Sequence, residues 1–70
     1  MNVGRAIREA REERGWSQNT LSHNAGVFLA TLGSAERGTR NVSLQTLMAI
    51  CDGLGVKVSE LMRRAEQYDD

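Results

Sequence analysis

Residues 18–37 read QNTLSHNAGVFLATLGSAER and carry the pattern of two short helices that cross steeply through a tight turn. Small and apolar side chains recur where the two helices would share a core, at Leu21, Ala25, Val27, Leu32 and Ala35. Gly26 lies between the two helices, and without a side chain it can adopt the left-handed turn conformation that other residues resist. The second helix would then present one uncovered face, shaped to lie in a DNA major groove. A generic antiparallel helical hairpin shows a similar pattern, so this stretch alone leaves both interpretations open.

The segments on either side also show helical patterns, separated by glycines and short polar turns. Ser17 and Ser43 are good N-caps for the second and fourth helices, and Ser59 is expected to open the fifth. The predicted helices cover about residues 2–14, 18–24, 28–36, 44–54 and 59–67. Because no stretch alternates with a period of two, the sequence predicts an all-α, five-helix bundle that forms a single domain over residues 1–70.

The net charge of the chain is zero, which by itself argues against nucleic-acid binding. The distribution of charge is more informative than the sum. Residues 1–40 contain six Arg and four Glu, whereas residues 41–70 contain three basic and five acidic residues. The basic half of the chain is therefore the half that carries the two-helix motif.

The sequence lacks the residues that several kinds of functional site require. Cys51 is the only cysteine, so an intramolecular disulfide and a cysteine-based zinc site are excluded. Its apolar surroundings predict a small core residue, with redox sensing as the less favoured alternative. His23 is the only histidine and is expected at a solvated helix position. With no acid–base pair, nucleophile next to a base or phosphate-binding glycine loop, we expect no enzyme, no metal, no cofactor and no small-molecule ligand.

The apolar runs of the sequence are only a few residues long, too short to cross a bilayer. Charged residues near the start, at Arg5, Arg8 and Glu9, also interrupt the apolar stretch that a secretory signal requires. We therefore expect a cytoplasmic protein that has no membrane partner.

Three segments together resemble the phage Cro and repressor-type (Xre) helix-turn-helix family. They are SQ-x-x-L-S-x-x-A-G-V at 17–27, ERG-x-RN-x-SL-x-TL at 36–47 and LGV-x-x-SEL at 54–61. The middle segment is similar to the small controller proteins of restriction-modification systems. The resemblance implies a lambda-repressor-like fold and a DNA-binding transcriptional regulator whose recognition helix, residues 28–36, lies in the major groove of double-stranded DNA.

The resemblance also implies roles for individual residues. Gln18, at the first turn of the second helix, would contact a phosphate, and Arg40 and Asn41 would form a second anchor to the DNA backbone. Glu36, at the end of the recognition helix, would pair with Arg11 of the first helix as a structural ion pair. The full set of expected DNA-contacting residues is Ser17, Gln18, Asn19, Phe28, Leu29, Ala30, Thr31, Ser34, Arg37, Arg40 and Asn41.

The recognition helix departs from the family, which usually places polar base-reading residues at several positions of FLATLGS, residues 28–34. Here Leu29 and Ala30 offer only apolar contacts, and Thr31 and Ser34 offer one permissive hydrogen bond each. Three explanations stay open. The chain is a natural regulator that relies on backbone contacts and DNA shape, a helix-turn-helix module that binds a protein partner instead, or an engineered variant.

The last two helices carry more apolar residues than a small core needs. On the fourth helix an apolar face follows the i, i+3, i+4 pattern, at Leu44, Leu47, Met48, Cys51 and Leu54. We expect part of the surplus, Met48, Val58, Met62 and Tyr68, to form a homodimer interface. A two-fold dimer would hold two recognition helices about 34 Å apart, matching the half-sites of a palindromic operator.

Trp16 is expected to pack against the core rather than contact DNA.

Overall fold

The structure is a computed structural model that describes residues 1–38 and 42–68. Within these ranges it contains five helices and no strand. They are α1 (Val3–Glu13), α2 (Gln18–Ala25), α3 (Leu29–Arg37), α4 (Leu44–Leu54) and α5 (Val58–Ala65). The predicted all-α, five-helix architecture is confirmed.

Three helix starts differ from the prediction, and α1 begins one residue late, at Val3. Phe28 is the N-cap of α3 and has an extended backbone, so the helix begins one residue later than expected, at Leu29. Ser59 does not cap α5, because the helix already begins at Val58 and Lys57 occupies the N-cap. The Glu60 carboxylate accepts a hydrogen bond from the Lys57 backbone N–H at 3.4 Å, which supports this earlier start.

Short side chains cap three of the helices. The Asn2 side-chain oxygen accepts the Arg5 N–H at 2.9 Å at the start of α1. The predicted caps at Ser17 and Ser43 are confirmed, since the hydroxyl of each accepts the backbone N–H three residues later at 3.1 Å. Each cap satisfies one of the backbone donors that the first turn of a helix leaves unpaired.

The turn between α2 and α3 depends on Gly26, which has a φ of 68° and a ψ of 30°. Its N–H is directed back to the last turn of α2, with an N···O distance of 3.3 Å to His23. A side chain at this position would meet the steric cost of the left-handed region, which glycine avoids. The predicted tight turn is thus present, and it directs α3 across α2.

The core lies between the five helices and consists of aliphatic residues, alanines and one cysteine. Its buried members are Ala6, Ile7, Ala10, Leu21, Leu32, Ala35, Leu47, Ile50, Cys51, Leu54, Leu61 and Ala65. Trp16 packs against this cluster. Burial raises the pKa of the Cys51 thiol, as expected for a core residue.

Two glycines allow helices to approach closely. A β-carbon on Gly4 of α1 would lie 2.6 Å from the Glu36 carbonyl oxygen of α3. A β-carbon on Gly53 of α4 would lie 2.8 Å from the Ala25 β-carbon of α2. Both distances are shorter than ordinary van der Waals contact, so these helix pairs pack at a separation that only glycine permits.

None of the described helices has the length and apolarity that a bilayer-crossing segment needs.

Candidate nucleic-acid interface

The two halves of α3 have opposite environments. At its start, Phe28 is 85% exposed, Leu29 is 44% exposed and Ala30 is also exposed. Toward its end, the residues that face the scaffold are buried, namely Leu32, Gly33, Ala35 and Glu36. Thr31 and Ser34 are half-buried. The helix is therefore held by its C-terminal half and projects its first turn into solvent.

The end of α3 is fixed by a hydrogen-bonded network, called here the Arg11–Glu36–Gln18 network. Arg11 Nε donates to Glu36 Oε2 at 2.8 Å, and a second guanidinium nitrogen donates to Oε1 at 3.0 Å. Gln18 Nε2 donates to the same Oε1 at 3.0 Å. The remaining Arg11 nitrogen donates to the Trp16 carbonyl at 2.8 Å. One carboxylate thus connects the start of α2 and the end of α3 to α1.

The ion pair of this network is largely shielded from solvent. The side chain of Glu36 is 2% exposed and that of Arg11 is 12% exposed. The pKa of Arg11 is raised, mainly by its hydrogen bond to Glu36. A buried pair of this kind is costly to break, because removal of one partner leaves the other charge uncompensated. The ion pair implied by the family resemblance is therefore formed, and it also includes Gln18, which that resemblance assigned only to phosphate.

The start of α2 lies beside this network. The Ser17 hydroxyl is committed to its cap, and Asn19 next to it is exposed. Gln18 uses one amide hydrogen on Glu36 and keeps a second donor on the same nitrogen. Its contact with a phosphate stays a prediction that this geometry permits.

The remaining expected anchors lie after α3. Arg37 is exposed, and its guanidinium approaches the Ser34 hydroxyl at 3.5 Å along the same side of the helix. Arg40 and Asn41 lie outside the described residues. No group of His, Cys, Asp and Glu within residues 1–38 and 42–68 is arranged to hold a metal ion.

A helix-turn-helix sequence profile matches residues 7–61, a range that includes α2, α3 and all of α4. The chain belongs to the helix-turn-helix family. The predicted family membership is confirmed, and the fold is of the expected lambda-repressor-like type.

Two solved structures show this helix-turn-helix fold. The restriction-modification controller protein C.AhdI from Aeromonas hydrophila is 37% identical, with a TM-score of 0.82 over 86% of this chain and 91% of that one. The N-terminal DNA binding domain of SinR from Bacillus subtilis is 36% identical, with a TM-score of 0.79 over 86% of this chain and 88% of that one.

A longer regulator is also similar to this chain. The HTH-type transcriptional regulator DdrOP3 from Deinococcus deserti is 33% identical over 70 residues, which are 100% of this chain and 54% of DdrOP3. The chain spans about half the length of such curated relatives.

The helix-turn-helix domain exposes a second apolar surface on α4. Leu44 is 67% exposed and Met48 is 53% exposed, one helical turn apart. Leu44 belongs to the apolar face that the sequence predicts for α4, and the structure leaves it in solvent at the start of that helix. The spacing of four residues between two large apolar side chains is the signal that could have identified this surface.

The other expected interface residues are partly covered by their own domain. Val58, Met62 and Tyr68 all pack against the core. The guanidinium of Arg5 lies 4.2 Å from the centre of the Tyr68 ring. A hydrogen bond with Glu9 is the main cause of a raised Tyr68 pKa. Of the four residues expected at a dimer interface, Met48 is thus the most available to a partner.

An unexpected clamp joins the first and last helices. Arg64 of α5 donates to both carboxylate oxygens of Glu13 in α1, at 2.6 and 3.0 Å. Arg64 also lies 3.5 Å from Glu9. The hydrogen bond from Arg64 is the main cause of a lowered Glu13 pKa. The sequence gives no direct signal for this clamp, because its partners are 51 residues apart.

Proposed function

We propose that this protein is a transcriptional regulator that binds double-stranded DNA and inserts its recognition helix, α3, into the major groove. The observation that carries the proposal is the division of α3 into an exposed first turn and an end fixed by the Arg11–Glu36–Gln18 network. A helix that reads base edges needs its N-terminal residues free and its axis rigidly oriented. The similarity to regulators and controller proteins supports the same conclusion.

In this proposal, contacts with phosphates supply most of the affinity. The start of α2 presents Gln18 and Asn19, and the far end of α3 presents Arg37, with Arg40 and Asn41 following it in the sequence. Helix N-termini and guanidinium groups both favour phosphate, since the first offers aligned N–H groups and the second neutralises charge. We assign no catalytic role and place the protein in the cytoplasm with its DNA.

We further propose a homodimer on a palindromic operator. The exposed pair Leu44 and Met48 on α4 is the surface best suited to a two-fold contact, with the partly covered Val58, Met62 and Tyr68 as additional contributors. Because a two-fold interface repeats the same patch, one apolar surface per chain is sufficient. Two copies of α3 would then read two half-sites about one DNA turn apart.

Duplex binding measured over a range of salt concentrations tests the proposal. We expect affinity to fall steeply with salt, and Arg40→Ala to flatten the slope of log affinity against log salt by about one unit. Arg63→Ala is the matched control, because Arg63 is an exposed arginine on α5. It removes the same charge and is expected to leave the slope unchanged.

Absence of binding to any duplex at low salt, by a chain that is folded and dimeric, would contradict the proposal. A protein-interaction module would then be the better description of the fold.

A further inference from the structure

The start of α3 carries an apolar surface, called here the apolar tip, which consists of the N-cap Phe28 and the first two helical residues, Leu29 and Ala30. All three side chains are exposed, and Phe28 at 85% is the most exposed large apolar side chain in the described residues. Phe28 and Leu29 also line an open groove together with the polar residues Asn19, Ser22 and His23 of α2. The apolar tip thus stands where the recognition helix would meet the bases.

The major groove offers few apolar features to such a surface. Guanine, adenine and cytosine present hydrogen-bond donors and acceptors, and an apolar side chain placed on them leaves those groups unpaired. The C5-methyl group of thymine is the apolar feature of an unmodified base pair, and 5-methylcytosine carries the same group at the same position. The apolar tip has no amide or guanidinium with which to form a bidentate contact.

We propose that the apolar tip selects DNA by the C5-methyl groups of pyrimidines, those of thymine and equally those of 5-methylcytosine. The inference rests on the proposed function, because it requires α3 to lie in the major groove. The methyl groups pack against Phe28 and Leu29, and the polar residues that line the same groove contact the adjoining polar base edges. Selectivity therefore follows the methyl group rather than the identity of the base pair.

The test uses a duplex isolated by this protein from a random library, synthesised with uracil replacing each thymine in turn. Uracil retains the hydrogen-bonding groups of thymine and lacks only the methyl group. We expect binding about fourfold weaker, or about 0.8 kcal/mol, for each contacted methyl group that is removed. At the same positions, a 5-methylcytosine–guanine pair should bind about fourfold more tightly than a cytosine–guanine pair.

Two variants assign the effect to the apolar tip. Phe28→Ser is expected to retain the fold, because serine is a preferred N-cap and Phe28 makes no side-chain cap hydrogen bond. Leu29→Asn replaces the other large side chain. At the position that the replaced side chain contacts, each variant should bind the thymine and uracil duplexes with nearly equal affinity, so that the ratio of the two affinities falls to about one. Arg63→Ala should leave this ratio unchanged.

The outcomes separate the two proposals. A duplex that binds equally well with thymine and uracil at every position overturns the methyl-group inference and leaves the proposed function intact. A difference in affinity between the thymine and uracil duplexes that persists in both variants also overturns the methyl-group inference, because other residues would then contact the methyl groups. Failure to isolate or bind any duplex contradicts the proposed function itself.

Discussion

Gln18 and Glu36 share a 3.0 Å hydrogen bond that joins the first turn of α2 to the last turn of α3. The same carboxylate is held by Arg11 of α1, so one buried charge links both helices of the motif to the first helix. Orientation of the recognition helix and stability of the domain are therefore coupled. A change at Glu36 is expected to affect both.

Glu36→Gln should destabilise the protein by about 3 kcal/mol, because it leaves the Arg11 guanidinium buried without its counter-charge. The control is Glu12→Gln, which breaks the exposed pair between Arg8 and Glu12, 3.7 Å apart, and should cost under about 1 kcal/mol. Urea unfolding of the three proteins gives both differences. Equal stability of the two variants would show that the buried pair contributes no more than a surface pair.

Two glycine-to-alanine substitutions should have opposite effects. In Gly53→Ala the new methyl group meets the Ala25 backbone nitrogen at 2.9 Å, and a loss of about 1–3 kcal/mol is expected. In Gly33→Ala it meets the flexible end of the Arg37 side chain at 3.0 Å, which can move aside. The higher helix propensity of alanine should then raise the free energy of unfolding by at most about 1 kcal/mol. Thermal unfolding measures both, and a more stable Gly53→Ala protein would contradict the close packing of α2 on α4.

Phe28→Ser should stabilise the protein by about 1 kcal/mol, because a serine hydroxyl at the N-cap of α3 can accept a first-turn N–H. Phe28→Ala is the matched control, since it removes the same exposed ring without supplying an acceptor. The melting temperatures of the two variants should therefore differ in favour of serine. If they coincide, the cap of α3 contributes nothing measurable.

The clamp between Glu13 and Arg64 should make stability depend on pH. The pKa of Glu13 is lower in the folded protein than in the unfolded chain, chiefly because of its hydrogen bond from Arg64. The stabilisation is thus present above the unfolded pKa and is lost as pH falls through the folded pKa. Glu13→Gln should be less stable than the original protein near neutral pH and equally stable in strong acid.

The measurement for this clamp is the melting temperature of both proteins between pH 7 and pH 2. Glu66→Gln, at an exposed position, serves as the control for removal of one negative charge. A stability difference for Glu13→Gln that does not change with pH would contradict the assignment.

Replacement of the exposed pair on α4 should prevent dimer formation. Leu44→Asp and Met48→Asp each place a charge within the proposed two-fold contact, where the partner chain brings a second one. Gln45→Asp, at a neighbouring exposed position of the same helix, is the control. Sedimentation at tens of micromolar should give monomers for the first two variants and a dimer for the control. A monomeric original protein would refute the dimer.

Much of the fold was predictable because its signals are local. The caps at Ser17 and Ser43 and the turn at Gly26 act within four residues, as does the helical spacing of apolar residues. The family resemblance supplied the Arg11–Glu36 pair, which links residues 25 apart. The expected phosphate contacts and the base-facing role of α3 remain predictions for the binding experiments.

The five helices, their approximate limits and the sharp turn between α2 and α3 follow from local sequence, since backbone propensity and capping depend on near neighbours. The tertiary structure, in contrast, sets which members of an apolar pattern are buried. It left Leu44 in solvent, directed the Gln18 amide to Glu36 and joined Glu13 to Arg64. These relationships depend on how distant helices pack against one another, and local periodicity carries no information about the partner that a side chain will meet.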